Sequence, residues 1–313
     1  MPDILNIIFN ILTSGLPCCL LAVGVFLTFR LLDFADMTAE GSFLLGAAIT
    51  GSCIYNGMNP FLATILGMIV GVLCGFITGF LNRVLKIPKL LSGIITLTAS
   101  MSIAMLIMGI SRPGQIFASQ VPLSGHKTIY SIFYPGNQWN KVVEASVMAV
   151  IIVSVIVLVY YFFGTEYGMA IRATGMNEKM ARSQGINTDI SSIMCVGISN
   201  GLIGLAGALY VQDALSVSTV SATGYLVIGL ASILIGEAIF GKRSFKNWLI
   251  SVALGAILYF TIITIAIRLG LPTELKSLLY AILITIALCI PLFKKGFTLL
   301  TKRIKEGRQE ATC

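Results

Sequence analysis

The feature that most constrains this sequence is a succession of long apolar runs separated by short polar ones. A hydrocarbon core of about 30 Å requires roughly 20 apolar residues per helical crossing, with every backbone N–H and C=O bonded internally. Runs at 4–29, 61–81, 92–110, 142–163, 190–212, 247–267 and 277–293 meet or approach that length with few charges, and two shorter runs lie at 41–55 and 224–240. A chain that is 57% hydrophobic and 11% charged has too little polar surface for a water-soluble domain of this size. The expectation is an all-α, polytopic transmembrane bundle of about 8–10 spans, built as one domain over residues 1–313. The first run is longer than a signal-peptide core and lacks a basic leader and a small-residue cleavage site, so it reads as a retained helix.

The net charge of +8 is not gathered in one patch, so nucleic acid is not an expected partner. The bases stand at the ends of runs: Arg83, Lys86 and Lys89; Arg172, Lys179 and Arg182; Lys242, Arg243 and Lys246; and the tail 294–313. Positive residues flanking spans mark the cytoplasmic side. That places the polar segment 164–190 and the basic tail inside, and the loop 111–141, with Pro113, Pro122 and Pro135, outside as a cap with room for a short half-helix. The N-terminus is outside if all five earlier runs cross, and inside if one of them is re-entrant.

Patterns of catalysis are matched by letter and fail by context. Gly197 to Gly201 reads G-x-S-x-G, but Ser199 lies in an apolar helical run, and the single histidine, His126, is in the opposite external loop. Gly236 to Arg243 resembles a phosphate loop, yet Arg243 stands where a Ser or Thr would hold Mg²⁺, and an apolar helix precedes it. Gly241 reads instead as a helix stop. Seven cysteines, mostly inside apolar runs, read as small hydrophobes rather than a disulfide or metal framework. No metal site and no cofactor bound by this chain are expected.

Helix packing is what the sequence does specify. Gly67, Gly71, Gly75 and Gly79 recur every fourth residue and lay a groove along one helix face. Gly197, Gly201, Gly204 and Ala208 form a second small-residue face, with Gly207 beside it. Packing inside one subunit is the expected use of both.

The short run at 41–55, of about 15 residues, is preceded by Asp33, Asp36 and Glu40. A half-length helix at membrane depth points its free N–H groups and positive dipole end into a cavity. The run at 224–240 is also short, and an ungapped alignment pairs Gly41 with Gly224, Gly46 with Gly229 and Ala48 with Ala231. Two such broken elements point to a central pathway, with Glu40, Gly41, Ser42, Phe43, Gly46, Gly224, Tyr225 and Gly229 as its candidate lining. Glu40, Asp213 and Glu237 are costly if they face lipid; interface positions are the expectation for all three.

In the polar segment, residues 167–173 continue the preceding helix and Gly175 breaks it. Asn177 is a suitable N-cap, Glu178 suits a helix start and Gly185 a C-terminal turn, so 178–184 forms a two-turn helix. Met176 and Met180 share one face, with Ala181 nearby and Gln184 at its edge. The product is a knob, apolar on one side and charged on the other, that fits a groove on a soluble partner.

The stretches GMAIRATGMNEKMARSQGINT and GISNGLIGLAGALYVQ resemble the cytoplasmic coupling segment and following helix of permease subunits of bacterial ABC importers, in the branched-chain amino acid and ribose permease superfamily. The matching positions are Gly168, Arg172, Ala173, Gly175, Asn177, Ala181, Gly185 and Ile186, then Gly204 and Gly207. RLLDFADMTAEGSFLLGAA and GLASILIGEAIFGKRSF are similar to their counterparts there, so the likeness covers nearly the whole chain. The first is most similar to a subgroup linked to tryptophan- and tyrosine-type uptake, with Met37 and Ala39 as departures.

The resemblance implies a type II importer-like permease in the bacterial plasma membrane, paired with a second permease as a homodimer. It implies an ABC ATP-binding subunit docked on Gly168, Arg172, Ala173, Gly175, Met176, Asn177, Glu178, Met180, Ala181, Gln184 and Gly185, with ATP and Mg²⁺ held on that partner. An extracytoplasmic solute-binding lipoprotein would deliver a small solute, an amino acid and in this subgroup an aromatic one. The rival is a self-sufficient, ion-coupled secondary transporter, which would place paired carboxylates or a histidine deep in the spans.

Overall fold

The computed structural model describes residues 2–111, 114–133, 141–219 and 224–270, and a few positions between 275 and 285. Most of the run at 277–293 and the whole tail 294–313 lie outside the described residues. Eleven α-helices are described: α1 (Pro2–Phe26), α2 (Thr38–Tyr55), α3 (Pro60–Arg83), α4 (Lys89–Ile110), α5 (Ile129–Phe133), α6 (Lys141–Phe162), α7 (Glu166–Met176), α8 (Glu178–Ser183), α9 (Thr188–Ala214), α10 (Tyr225–Phe240) and α11 (Phe245–Arg268). A π-helical turn, Leu27–Leu31, extends α1. Six of the described helices are long and apolar enough to cross a membrane, and α10 is a shorter apolar helix.

The helices form two layers. The spans at Ile11–Leu31 and Thr188–Ala214 are 89% and 83% buried, whereas those of α3, α4, α6 and α11 are at most 39% buried. Leu73, Ile77, Val150 and Leu158 on these outer helices are exposed, as side chains facing hydrocarbon are. α9 is the hub, packed against α1, α2 and α3. The glycine groove explains how closely. Gly71 lies on the Asn200 carbonyl and Gly204, Gly75 on the Val196 carbonyl and Gly197, and Gly79 on Ile193, so a Cβ at Gly71 or Gly75 would collide with α9 backbone. Gly207 meets the Phe43 carbonyl of α2 in the same way. Both small-residue faces therefore serve packing within the subunit.

The bases fix the orientation. α1 ends near Arg30, α3 ends at Arg83, α4 starts at Lys89, and α7 and α8 stand at the same end. By the positive-inside rule this basic end is cytoplasmic. α1 and α3 both finish at this basic end, and α4 starts there, so α1 begins at the opposite end of the bundle.

At the outer end β1 (Gln120–Pro122) pairs antiparallel with β2 (Ser216–Ser218), the one departure from an all-α fold among the described residues. The short helix expected in the outer cap is α5, beside His126, whose ring stacks on Tyr55 at 5.1 Å. Ser199 donates to the Gly24 carbonyl at 2.7 Å, a helix-to-helix tie far from His126. Gly241 has φ +76 and donates to the Glu237 carbonyl, closing α10. The described cysteines are free, all buried except the half-buried Cys53.

Candidate functional site

The knob is present, with its root built differently from expectation. α6 stops at Phe162, a turn follows, and α7 starts afresh with the Thr165 hydroxyl accepting from the Gly168 N–H. Gly168 rests on that turn at Phe162 and Phe163. Gly175 does not break the helix: it lies within α7, where any side chain would collide with the Leu31 carbonyl of the π-helical turn. Close backbone approach, rather than chain flexibility, is what requires glycine there.

α8 begins as its sequence dictates. The Asn177 side chain accepts from the Met180 N–H at 3.1 Å, Glu178 sits in the first turn, and Gly185 takes φ +81 after the last. Met176 is 89% exposed and Met180 63%, while Ala181 is 3% exposed. Ala181 therefore faces its own protein and is not part of the presented apolar face. Gln184 is exposed and Ala173 half-buried.

An ion network that the sequence conceals holds the knob. Arg83, at the end of α3, donates to Glu178 at 2.7 Å and lies 3.6 Å from Asp189. Arg182 reaches Glu178 at 3.2 Å and Asp189 at 3.0 Å, and its Nε donates to Thr188 at 2.7 Å. Partial burial pushes the Glu178 carboxyl up, but the bonded Arg83 and then Arg182 and Thr188 together hold it below its usual value of 4.5. The knob is thus fastened to α3 and α9.

Two chains of contact lead from α7 to one carboxylate on α10. In the first, Gly175 abuts Leu31, and the neighbouring Arg30 forks onto Glu237, with Nε donating to Oε1 at 2.8 Å and Nη2 pairing with Oε2. In the second, the Arg172 guanidinium lies 4.7 Å over the Phe245 ring. Phe245 packs on Phe26, which meets Trp248 edge-on at 4.8 Å, and Trp248 Nε1 donates to Glu237 at 2.8 Å. Glu237, near the end of α10, is therefore held by Arg30 and Trp248 rather than turned to lipid.

The other end of α10 meets α2. Gly224, with φ +91, caps α10, and its N–H donates to Glu40 at 3.0 Å, so a carboxylate of α2 occupies the positive end of α10. Phe43 stacks on Tyr225 with ring centroids 4.0 Å apart, and Tyr210 of α9 lies 5.6 Å from both. Between these rings and β2 is a cavity of about 10 Å³, room for roughly one water. Asp213, one turn beyond Tyr210, accepts from Ser14 at 3.4 Å.

The start of α2 is sealed as well. It lies at Thr38 rather than Gly41, and α2 has 18 residues, longer than the run suggested. Asp36 accepts from the Thr38 N–H at 2.9 Å and from Asn200 Nδ2 at 2.6 Å, and Ser42 donates to Asn200 Oδ1 at 2.7 Å. Thr38 bonds Thr78, which donates to Thr96 at 2.9 Å. The paired glycines also differ in use. Gly41 lies on Leu97 and Ser100 of α4 and Gly46 on Gly204, while Gly224 is a left-handed cap and Gly229 lies on Leu21 and Val25. The three shared letters do not mark equivalent packing.

The structure thus brings Glu40, Phe43, Gly224 and Tyr225 together and puts Gly41, Gly46 and Gly229 in interhelical seams. Sequence reasoning missed Arg30, Leu31, Asn200, Tyr210, Phe245 and Trp248, whose partners are distant in the chain.

Compared with known proteins, residues 7–288 match the family described as branched-chain amino acid transport system, permease component. The chain is 34% identical over 280 residues to the tyrosine transport system permease protein of Clostridioides difficile, covering 88% of this chain and 89% of that one. It is 25% identical over 287 residues to the galactofuranose transporter permease protein of Escherichia coli, covering 90% and 78%. It is 26% identical over 235 residues to the ribose import permease protein of Bacillus subtilis, covering 75% and 68%. The match spans the helix pair α2 and α10, the knob and the six crossing helices alike, and the chain belongs to this family of multi-pass membrane permeases, the permease components of branched-chain amino acid transport systems.

Proposed function

We propose that the chain is the membrane-spanning subunit of an ATP-driven importer of amino acids, aromatic ones among them, with ATP and Mg²⁺ held by a separate ATP-binding subunit. The observation that carries this reading is the knob, with one exposed methionine at the end of α7, a second on α8, and α8 locked by ions to α3 and α9. A connector needs no such fastening; a part that receives a push does. The ATP-binding subunit seats on Met176, Met180 and Gln184. Movement passes through Gly175 and Arg172 to Glu237 and so to α10, whose far end holds the Glu40, Phe43 and Tyr225 contacts. These contacts close the translocation route between this chain and a second copy. A solute-binding protein docks at the outer end, near β1, β2 and α5. The tyrosine named for one relative supports an aromatic solute.

The test is reconstitution of the chain with its ATP-binding subunit and binding protein in vesicles, followed by labelled tyrosine uptake. Uptake should require ATP and all three proteins. Gly175→Leu should lower uptake roughly tenfold, about 1.4 kcal/mol of lost coupling, while ATP hydrolysis persists. Ion-driven uptake by this chain alone would overturn the reading in favour of a secondary transporter.

A further inference from the structure

At the basic end, between the end of α6 and the corner joining α10 to α11, lies a cavity of about 700 Å³. Phe163, wholly buried, and Phe245 form its apolar wall, and Arg172, Arg243 and Lys246 its charged rim. Tyr160 and Tyr161 line it on the side of the lipid-facing α6, and Tyr161 is 69% exposed. Among the described residues, none of the three cations has a carboxylate within 4.0 Å. Three positive charges that no carboxylate among the described residues neutralises, lining one cavity of ligand size, call for an anion.

The mouth of the cavity identifies its chemistry. Exposed tyrosines at the end of a span sit at headgroup level, with their rings against acyl chains and their hydroxyls toward water. A free phosphate ion would satisfy the cations and leave that apolar side unused. We propose that the cavity holds the headgroup of an anionic diacyl phospholipid, its phosphate against Arg172, Arg243 and Lys246 and its chains lying along Tyr160 and Tyr161. Basic pockets between spans on the cytoplasmic side suit such headgroups. Because Arg172 belongs to α7 and the other two cations flank the start of α11, a bound lipid ties the root of the knob to that corner. The site is independent of which solute is carried.

The full chain purified in detergent, titrated with phosphatidylglycerol or phosphatidylcholine and examined by native mass spectrometry, tests this. The wild type should retain phosphatidylglycerol where phosphatidylcholine is stripped. Arg172→Gln, Arg243→Gln and Lys246→Gln combined should weaken retention roughly a hundredfold, from about 1 kcal/mol per base at the surface. A control with the same charge loss, Lys127→Gln, Lys179→Gln and Arg268→Gln, should retain the lipid. If the triple variant does not survive purification, Arg243→Gln alone on the exposed corner should show about fivefold weaker retention. Unchanged retention in the pocket variants, equal loss in the control, equal retention of phosphatidylcholine, or displacement of the lipid by millimolar inorganic phosphate would each overturn the proposal.

Discussion

At the start of α2 the carboxylate of Asp36 is enclosed and accepts two hydrogen bonds, from the Thr38 N–H and from Asn200. At the start of α10 the carboxylate of Glu40 is half-buried and comes from a different helix, and beside it stand a left-handed glycine and a stack of rings. Asp36, two residues before α2 begins, accepts from the first N–H of that helix and belongs to a network reaching α3, α4 and α9, so moving it would break many bonds together. Glu40 joins two helices across one seam. The first arrangement fixes a helix; the second can release one.

That difference sets the expected order of effects. Asp36→Ala leaves the Thr38 N–H and one of the two Asn200 Nδ2 hydrogens without a partner in the interior, while Asn200 keeps its bonds to Val196 and Ser42; each orphaned donor costs about 1–3 kcal/mol. It should sharply lower membrane abundance and the thermal unfolding temperature in detergent; a stability equal to wild type would remove the distinction between the two helix starts. Phe43→Leu loses the ring stack, about 1 kcal/mol beyond area burial, and should alter tyrosine uptake in vesicles more than it alters unfolding. Glu40→Gln keeps the shape and weakens the interaction with the α10 dipole by about 0.3–1 kcal/mol. Thermal unfolding should barely move while the uptake rate changes, and a loss as large as that of Asp36→Ala would remove the contrast between the two helix starts.

The exposed start of α8 supplies the smallest effect. The folded Glu178 carboxyl is held below its ordinary 4.5, so its contribution is present above that value and fades as pH falls through the lower folded value. For so exposed a pair it amounts to about 0.5 kcal/mol. Unfolding of Glu178→Gln and wild type should differ at neutral pH and converge in acid; a difference independent of pH would count against the ion network.

Local rules read much of this molecule in advance. The crossing helices follow from length and hydropathy, the α3 groove from glycines at every fourth position, and α8 from Asn177, Glu178 and Gly185. What escaped notice depends on distance along the chain. Arg30 and Glu237 are 207 residues apart, and Asp36 and Asn200 are 164 apart. Gly175 looked like a breaker because its reason, the Leu31 carbonyl, is supplied by another segment. β1 and β2 have three residues each, too few to show alternation.

The widened turn at Leu27–Leu31 amounts to one surplus residue spliced into an otherwise regular first helix. Removing one of Leu27, Thr28 or Phe29 would move Arg30 back by one position in the coil, a swing of up to roughly 100° about its axis, away from Glu237. Relatives with a residue missing at this point should therefore lack the arginine–glutamate clasp, or carry its two charges elsewhere.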